Sequence, residues 1–260
     1  MKRLLAFVLS ASFTLTMGCG YGSYQKRLQL TESRIQDEMT MDQVLSPPAQ
    51  GEFEKLNIYL RAPKSLTKTD SFAPTRLAAG AFDVEASFME LAPEEGAEGT
   101  PQRQYSLHVL ARREQEADPT QEQPEVEAPV FDRGPFLEDI RLLLSQLFGQ
   151  GAAEAATETV SKPIWPRSDP PRPQSYERLQ FNTPDDELVH VYLYHQEAGN
   201  TKYDVALIWV FPSGQAPATA GNPVDLTLGT FAAGTSASQR FRGGDDDFGG
   251  PGTGAPVIAF

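Results

Sequence analysis

The stretch that decides the fold is ELVHVYLYHQEAGNTKYDVALIWVF, residues 187–211. Residues 187–196 and 203–211 form the strongest pair of predicted strands, because each is a short run rich in β-branched and aromatic residues. Between them, Ala198-Gly199-Asn200 predicts a hairpin turn. The second strand is apolar on both of its faces, which is typical of a strand in the middle of a sheet. We therefore expect an antiparallel sheet with residues 203–211 near its centre.

Apolar and polar residues alternate in four further segments, a spacing that predicts half-buried strands. These segments are residues 55–61, 82–91, 103–112 and 176–182. Together with the hairpin they predict a sheet of about six strands.

Three segments have the spacing of helices. Residues 134–151 place Pro135 at a first helical position and Gly149 at the end, with an apolar stripe that suits a helix lying on a sheet. In residues 222–234, Asn222 as a cap and Pro223 after it predict a short helix. The third segment, residues 21–45, is a long N-terminal helix that stands as a partner-binding stalk or packs loosely on its own domain.

The order of these elements predicts one α+β domain over residues 52–234. Its antiparallel sheet carries the long amphipathic helix and the short C-terminal helix, and the N-terminal helix precedes it. This order resembles the PsbP-type α+β fold, and the resemblance lies in element order alone. Polar or proline-rich loops near residues 92–102, 113–133 and 150–175 are expected to be disordered, as is the Gly/Asp-rich tail, residues 235–260.

The first nineteen residues have the pattern of a lipid-attachment signal. A cationic start is followed by an uncharged run, residues 4–16, which is shorter than the roughly 20 residues of a membrane span. Leu15-Thr16-Met17-Gly18-Cys19 then resembles the lipobox of bacterial prolipoproteins, with Thr16 where that family prefers Leu. An ordinary cleaved signal with a chance cysteine is the alternative.

The resemblance implies cleavage between Gly18 and Cys19 and lipidation of Cys19. Residues 1–18 would then be the signal peptide, and residues 19–46 the anchor and stalk-like helix. The implied location is the bacterial cell envelope, facing the periplasm, and Gly20 after the cysteine resembles the outer-membrane class. The implied partners are the lipid bilayer and an envelope protein. Because Cys19 is the only cysteine, we expect no internal disulfide.

The composition argues against nucleic-acid partners. The chain has 35 acidic and 22 basic residues and a formal charge of −13 at pH 7. Such a surface repels phosphate backbones. We therefore expect no nucleic-acid binding.

The residues offer little for catalysis. His190 and His195 lie five positions apart on one strand, so they face opposite sides and cannot hold one metal together. The sequence has no nucleophile motif and no phosphate-binding loop. We expect no catalytic residues, no metal site, no cofactor and no enzymatic activity. A third histidine, His108, is interpreted as a solvent-facing or hydrogen-bonded residue.

Two functions remain open from the sequence. The first is a non-catalytic interaction or assembly module, and the second is a small-ligand-binding or hydrolytic domain with a cleft between sheet and helix. The tyrosines of the hairpin form a contact patch in the first case, or simply pack under a helix. The residues of the possible interaction surface are Leu28, Ile35, Met39, Tyr192, Tyr194 and Tyr203.

Overall fold

The predicted hairpin forms the middle of a seven-stranded antiparallel sheet. β7 (Leu188–Ala198) and β8 (Thr201–Phe211) pair along their whole lengths, from Leu188 opposite Phe211 to Ala198 opposite Thr201. Ten of the eleven residues of β8 are buried. The computed structural model describes residues 18–69, 81–90, 105–115, 134–152, 154–166, 172–198, 200–212 and 222–242. It confirms the α+β class and the central place of β8.

The remaining strands complete this sheet on both sides of the hairpin. They are β2 (Leu66–Thr69), β3 (Val84–Glu90), β4 (Ser106–Gln115), β5 (Thr157–Pro163) and β6 (Pro173–Asn182). In the sheet the strands lie in the order β2-β3-β4-β8-β7-β6-β5, and each neighbouring pair is antiparallel. Two meanders, β2 to β4 and β5 to β8, therefore meet where β4 pairs with β8.

Helices and a small second sheet cover the two faces. The helices are α1 (Gly18–Val44), α2 (Glu52–Lys55), α3 (Gly134–Phe148), α4 (Pro223–Thr230) and α5 (Gly234–Phe241), with a 3-10 turn at Gln150–Ala152. The second sheet pairs β1 (Ile58–Tyr59) with β9 (Ala232–Ala233). As predicted, Asn222 caps α4, because its side chain accepts a hydrogen bond of 2.8 Å from the Asp225 amide.

One face of the sheet packs mainly on α3. The buried stripe of this helix lies on the apolar residues that β4, β6, β7 and β8 turn to the same side. Burying each such side chain stabilises the fold by about 1.5–3 kcal/mol. The stripe consists of Phe136, Ile140, Leu143 and Leu144.

The other face is rich in aromatic residues and is covered by short elements. The α2–β1 segment and the α4–β9 segment pack on it in one cluster. Trp209 of β8 stacks on Tyr105, with ring centroids 5.4 Å apart. Tyr176 of β6 donates a hydrogen bond of 2.6 Å to the carbonyl oxygen of Leu228 in α4. The sheet is therefore the middle layer of three.

Three sequence-based expectations are wrong in part. Residues 55–61 are not a strand of the main sheet: α2 ends there, Asn57 has a φ of 54°, and only the two residues of β1 pair, with β9. The expected loop 150–175 contains edge strand β5 and the start of β6. The expected tail begins with α5, which buries Ala237 and holds Asn57 through a hydrogen bond of 2.6 Å from Ser238.

The remaining loop predictions fall mostly beyond what is described. β4 continues to Gln115, so residues 113–115 of the expected loop 113–133 belong to a strand. Residues 92–102, 116–133 and 243–260 lie outside the described residues.

Candidate functional site

The first half of α1 projects from the domain with little cover. From Gly22 to Gln29 every side chain is exposed. At 1.5 Å per residue, the 27 residues of the helix span about 40 Å. A helix exposed on all sides gains little from packing and is marginally stable alone. The projecting half of α1 therefore has the properties of a segment that a partner stabilises.

A stripe of large apolar side chains runs along this exposed helix, and we call it the α1 stripe. It consists of Tyr24, Leu28, Ile35 and Met39, whose exposed fractions are 63%, 54%, 52% and 58%. Because an α-helix turns by about 100° per residue, the four positions fall within a sector of about 60° and extend for about 22 Å. Three of them are the helix residues that the sequence assigned to an interaction surface.

The last two turns of α1 fix the helix to the domain. Met41 and Leu45 are buried in a cluster with Trp165 and with Leu226 of α4. By the same helical geometry, Met41 lies roughly 130° around the axis from the centre of the α1 stripe. The domain thus holds one side of the helix and leaves the stripe on a different side.

Two basic side chains close the C-terminal end of α1. Lys64 donates to the carbonyl oxygen of Asp42 at 2.5 Å, and its backbone amide donates to that of Val44 at 2.9 Å. The Arg61 guanidinium forms an ion pair of 2.7 Å with the Asp42 carboxylate. The last carbonyls of a helix lack partners within it and carry partial negative charge, so cations stabilise them. The orientation of α1 is therefore set at this end.

A polar cluster lies near the end of the hairpin where β7 is followed by β8, on the α3 side of the sheet. The Nδ1 atom of His195 is 2.8 Å from Oδ1 of Asp204, and Nζ of Lys202 is 3.2 Å from Oδ2 of the same carboxylate. Lys202 and Asp204 are each 1% exposed, whereas His195 is partly exposed and its Nε2 lies 3.4 Å from a Glu197 oxygen. The buried carboxylate orients an imidazole that solvent reaches, as in a general base.

The second histidine of β7 lies on the other face of the sheet, as its spacing predicts. His190 is buried against Phe211, with ring centroids 5.4 Å apart, and neither of its ring nitrogens has a hydrogen-bond partner among the described residues. Burial, followed by the positive charges of Arg178 and Lys162, lowers the pKa of His190 to about 4. His190 is therefore neutral at pH 7 and belongs to the aromatic core.

The remaining histidine is also buried, contrary to a solvent-facing position. His108 lies between two serine hydroxyls, Ser87 Oγ at 2.9 Å from Nδ1 and Ser106 Oγ at 3.0 Å from Nε2. Burial lowers the pKa of His108 to about 4. The sequence also left open a hydrogen-bonded histidine, and His108 has this arrangement.

The hairpin tyrosines do not form a surface patch. Tyr192 and Tyr203 are 2% and 5% exposed, and Tyr194 is half-buried against Phe231. Burial raises the pKa of Tyr192 and of Tyr194. Tyr192 and Tyr203 belong to the buried cluster on this face and Tyr194 packs against it, which corrects their place in the predicted interaction surface.

An open, polar cleft of about 450 Å³ lies beside α5. Its lining includes Asn57, Tyr203, Ser238 and Arg242, and neither His190 nor His195 belongs to it. Among the described residues, no group of three or more His, Cys, Asp or Glu side chains is placed to hold a metal ion. A ligand bound in this cleft would therefore not be lined by His190 or His195.

Sequence reasoning missed the Lys202–Asp204 pair and the basic end of α1. The available signal for the pair was two charges at alternate positions of the otherwise apolar β8. No local signal joins Lys64 to α1, since the contact depends on how the chain returns after Pro63. Cys19 lies in the first turn of α1, and its side chain is outside the described part.

No helix in the described ranges is both long and apolar enough to cross a membrane. No protein-family model matches the chain, and comparison with curated proteins gives no significant match.

Proposed function

We propose that this protein is a membrane-anchored envelope lipoprotein whose domain presents α1 to a protein partner and has no catalytic role. Acylated Cys19 would hold it in the bilayer, facing the periplasm, with the outer membrane favoured over the inner one. The partner would be a protein of the envelope. Nucleic acid is not among the expected partners because of the net negative charge.

The observation that carries this proposal is the α1 stripe. Four large apolar side chains lie more than half exposed on a helix whose other end is fixed by Trp165, Arg61 and Lys64. Scattered single apolar residues are common on protein surfaces, but an aligned and contiguous set is typical of a binding surface. The stripe starts five residues after Cys19, so an anchored chain would hold it next to the bilayer.

The anchor is tested by the mass of the N-terminal peptide. The full chain is produced in a bacterium with a lipoprotein pathway, extracted from membranes and digested. The expected peptide begins at Cys19 and carries the mass of its acyl chains, and the protein resists extraction with high salt. The matched variant is Cys19→Ser, which lacks the acyl mass. An unmodified Cys19 in the wild-type peptide would contradict the anchor.

The binding surface is tested by photo-crosslinking in cells. A photoreactive amino acid is placed at Leu28 in one strain and at Ser33 in another, since both positions are exposed and lie on different sides of α1. We expect a discrete crosslinked product at Leu28 and none at Ser33. Equal products at the two positions would contradict a specific surface.

A second candidate is the hydrolytic function, and the His195–Asp204 contact favours it. A buried carboxylate 2.8 Å from an accessible imidazole is an arrangement that activates water or a nucleophile. The test is hydrolysis of a panel of nitrophenyl esters and phosphates by the wild type and by His195→Gln. Turnover that disappears in the variant would establish this function, and equal rates in both proteins would reject it.

A further inference from the structure

The α1 stripe has the spacing of a two-stranded coiled coil. Leu28 and Ile35 are seven residues apart and occupy position a, and Tyr24 and Thr31 occupy position d. In such coils the a and d side chains of two helices pack into each other. The hydroxyl of Thr31 already donates to the carbonyl oxygen of Arg27 at 2.9 Å, so it brings no unpaired donor to the seam.

The charges beside the stripe favour a parallel pair of identical helices. Arg27 occupies position g and Glu32 the following position e, and both side chains are exposed. In a parallel coil, a g residue faces the next e residue of the other helix, so Arg27 of each copy meets Glu32 of the other. In an antiparallel pair, like positions face each other, and Glu32 would approach Glu32 of the second copy. Opposite charges thus meet only in the parallel arrangement.

The other acidic residue near the seam is neutralised within its own helix. Glu38 occupies position d and forms an ion pair of 3.5 Å with Arg34, one turn earlier. The apolar seam therefore extends from Tyr24 to Ile35, with Met39 beside its end.

We propose that the partner of the α1 stripe is a second copy of this chain, bound as a parallel coiled coil through residues 24–39. The inference rests on the proposed function, because anchoring at Cys19 places the N-terminal ends of two α1 helices at the same surface. Four apolar side chains per copy fall short of the roughly 1,200 Å² that a stable interface buries. Anchoring in one bilayer offsets part of this shortfall, since it confines both copies to the same surface and raises their effective concentration there, as linking two binding modules does.

The first test is disulfide crosslinking of the full chain in membranes. Leu28→Cys places a thiol at the seam, and Ser33→Cys places one at position f, on the outside of the coil. Under mild oxidation we expect about tenfold more crosslinked dimer for Leu28→Cys than for Ser33→Cys. The wild type is the control for Cys19, whose sulfur is blocked when it is acylated. Equal crosslinking at 28 and 33, or none at 28, overturns the proposal.

A charge exchange in the Leu28→Cys background tests the parallel register. Arg27→Glu brings like charges together on both sides of the coil and is expected to lower the dimer yield by about fivefold to tenfold. The double variant Arg27→Glu/Glu32→Arg restores opposite charges and is expected to restore the yield. A double variant as weak as the single one overturns the register and the proposal with it.

The two levels of the proposal fail in different ways. An acylated wild-type protein with no crosslink at Leu28 overturns the dimer and leaves the lipoprotein function standing. If a photoreactive group at Leu28 then captures a different protein, the stripe has another partner. A wild-type peptide without acyl mass overturns the anchored function, and the tether-dependent dimer fails with it.

Discussion

α3 and α1 both carry a stripe of Leu, Ile and aromatic side chains, but the two stripes lie in opposite surroundings. The α3 stripe is at most 3% exposed, because strands β4, β6, β7 and β8 provide an apolar face for it along the helix. The α1 stripe is more than half exposed at each of its four residues. The same residue types thus serve the core in one helix and remain without cover in the other.

The difference teaches where the domain is complete and where it is not. The sheet has apolar layers on both faces without any help from the first half of α1. The contacts that position it include those of Met41, of Asp42 and of Leu45, at the C-terminal end of the helix and just beyond it. An apolar stripe that the fold positions but does not bury is best explained by a contact outside the domain.

The largest effect of a single substitution is expected for Ile140→Ala in α3. Ile140 is fully buried, and removing its outer carbons leaves a cavity between helix and sheet. We expect the free energy of unfolding to fall by about 2–5 kcal/mol, measured by urea titration followed by circular dichroism. A loss below about 1 kcal/mol would mean that α3 packs no more tightly than α1 does.

The buried side of this comparison, α3 and the sheet on which it packs, could be predicted from the sequence. The stripe of α3 and the two apolar strands of the hairpin are long, regular patterns, and each specifies one kind of element. The position of β8 follows from its apolar residues on both faces. Local patterns were sufficient here because the packing repeats the same residue spacing along the whole element.

The sequence was less informative where a short segment depends on a distant one. The alternation in residues 55–61 correctly marks Ile58 and Leu60 as buried, yet these residues cover the sheet instead of joining it. α5 lies in a stretch of low complexity and is held through Ser238 to Asn57, 181 positions away. No pattern inside either segment reveals the other.

The candidate surface was predictable in part for the same reason. The helical spacing of Leu28, Ile35 and Met39 marks one side of α1, whereas exposure is decided by what the domain leaves uncovered. The tyrosines of the hairpin show the converse. Their alternation gives a common face, and the distant α4–β9 segment buries it.

Acid is expected to weaken the sheet and its two packed layers. His108 and His190 are buried with pKa values of about 4, below the ordinary 6.5, so the unfolded chain binds more protons than the folded one between these values. Stability is therefore full above pH 6.5 and falls as the pH drops toward 4, by up to about 3 kcal/mol for each histidine.

Urea titrations at pH 7, 5.5 and 4.5 measure this loss. His190→Phe should flatten the pH dependence, because it removes one of the two groups while keeping the ring in the aromatic cluster. An unchanged pH dependence in this variant would contradict the role of His190. His195→Gln is the comparison in a partly exposed site.

A smaller loss of stability is expected at the contact between α4 and Trp165, the side chain against which the end of α1 packs. A Cβ atom on Gly229 would lie 2.2 Å from Cδ1 of Trp165 and 2.5 Å from the Pro163 carbonyl oxygen. Gly229→Ala must therefore displace Trp165, which packs on Met41 and Leu45. Overpacking of this kind costs about 1–3 kcal/mol, although alanine ordinarily favours helices over glycine.

Thermal unfolding of Gly229→Ala measures this cost, and Gly22→Ala in α1 is its matched control. No atom of the described residues lies within 4 Å of a Cβ atom at Gly22, so alanine there should only favour the helix. A Gly229→Ala protein as stable as the control would mean that Trp165 does not clamp α1 to α4.

The smallest effect on stability is expected for Ile35→Ala, which is the same substitution as in α3 but at an exposed position. In the unlipidated Cys19→Ser protein we expect the free energy of unfolding to change by no more than about 0.5 kcal/mol, because the side chain leaves no cavity. In membranes, the same substitution removes a seam residue from both copies and should reduce crosslinking at Leu28→Cys several-fold. A residue that matters for association and not for folding is what an uncovered stripe predicts. A loss of stability comparable to that of Ile140→Ala would instead place Ile35 in the core of its own domain, and the contrast between the two helices would disappear.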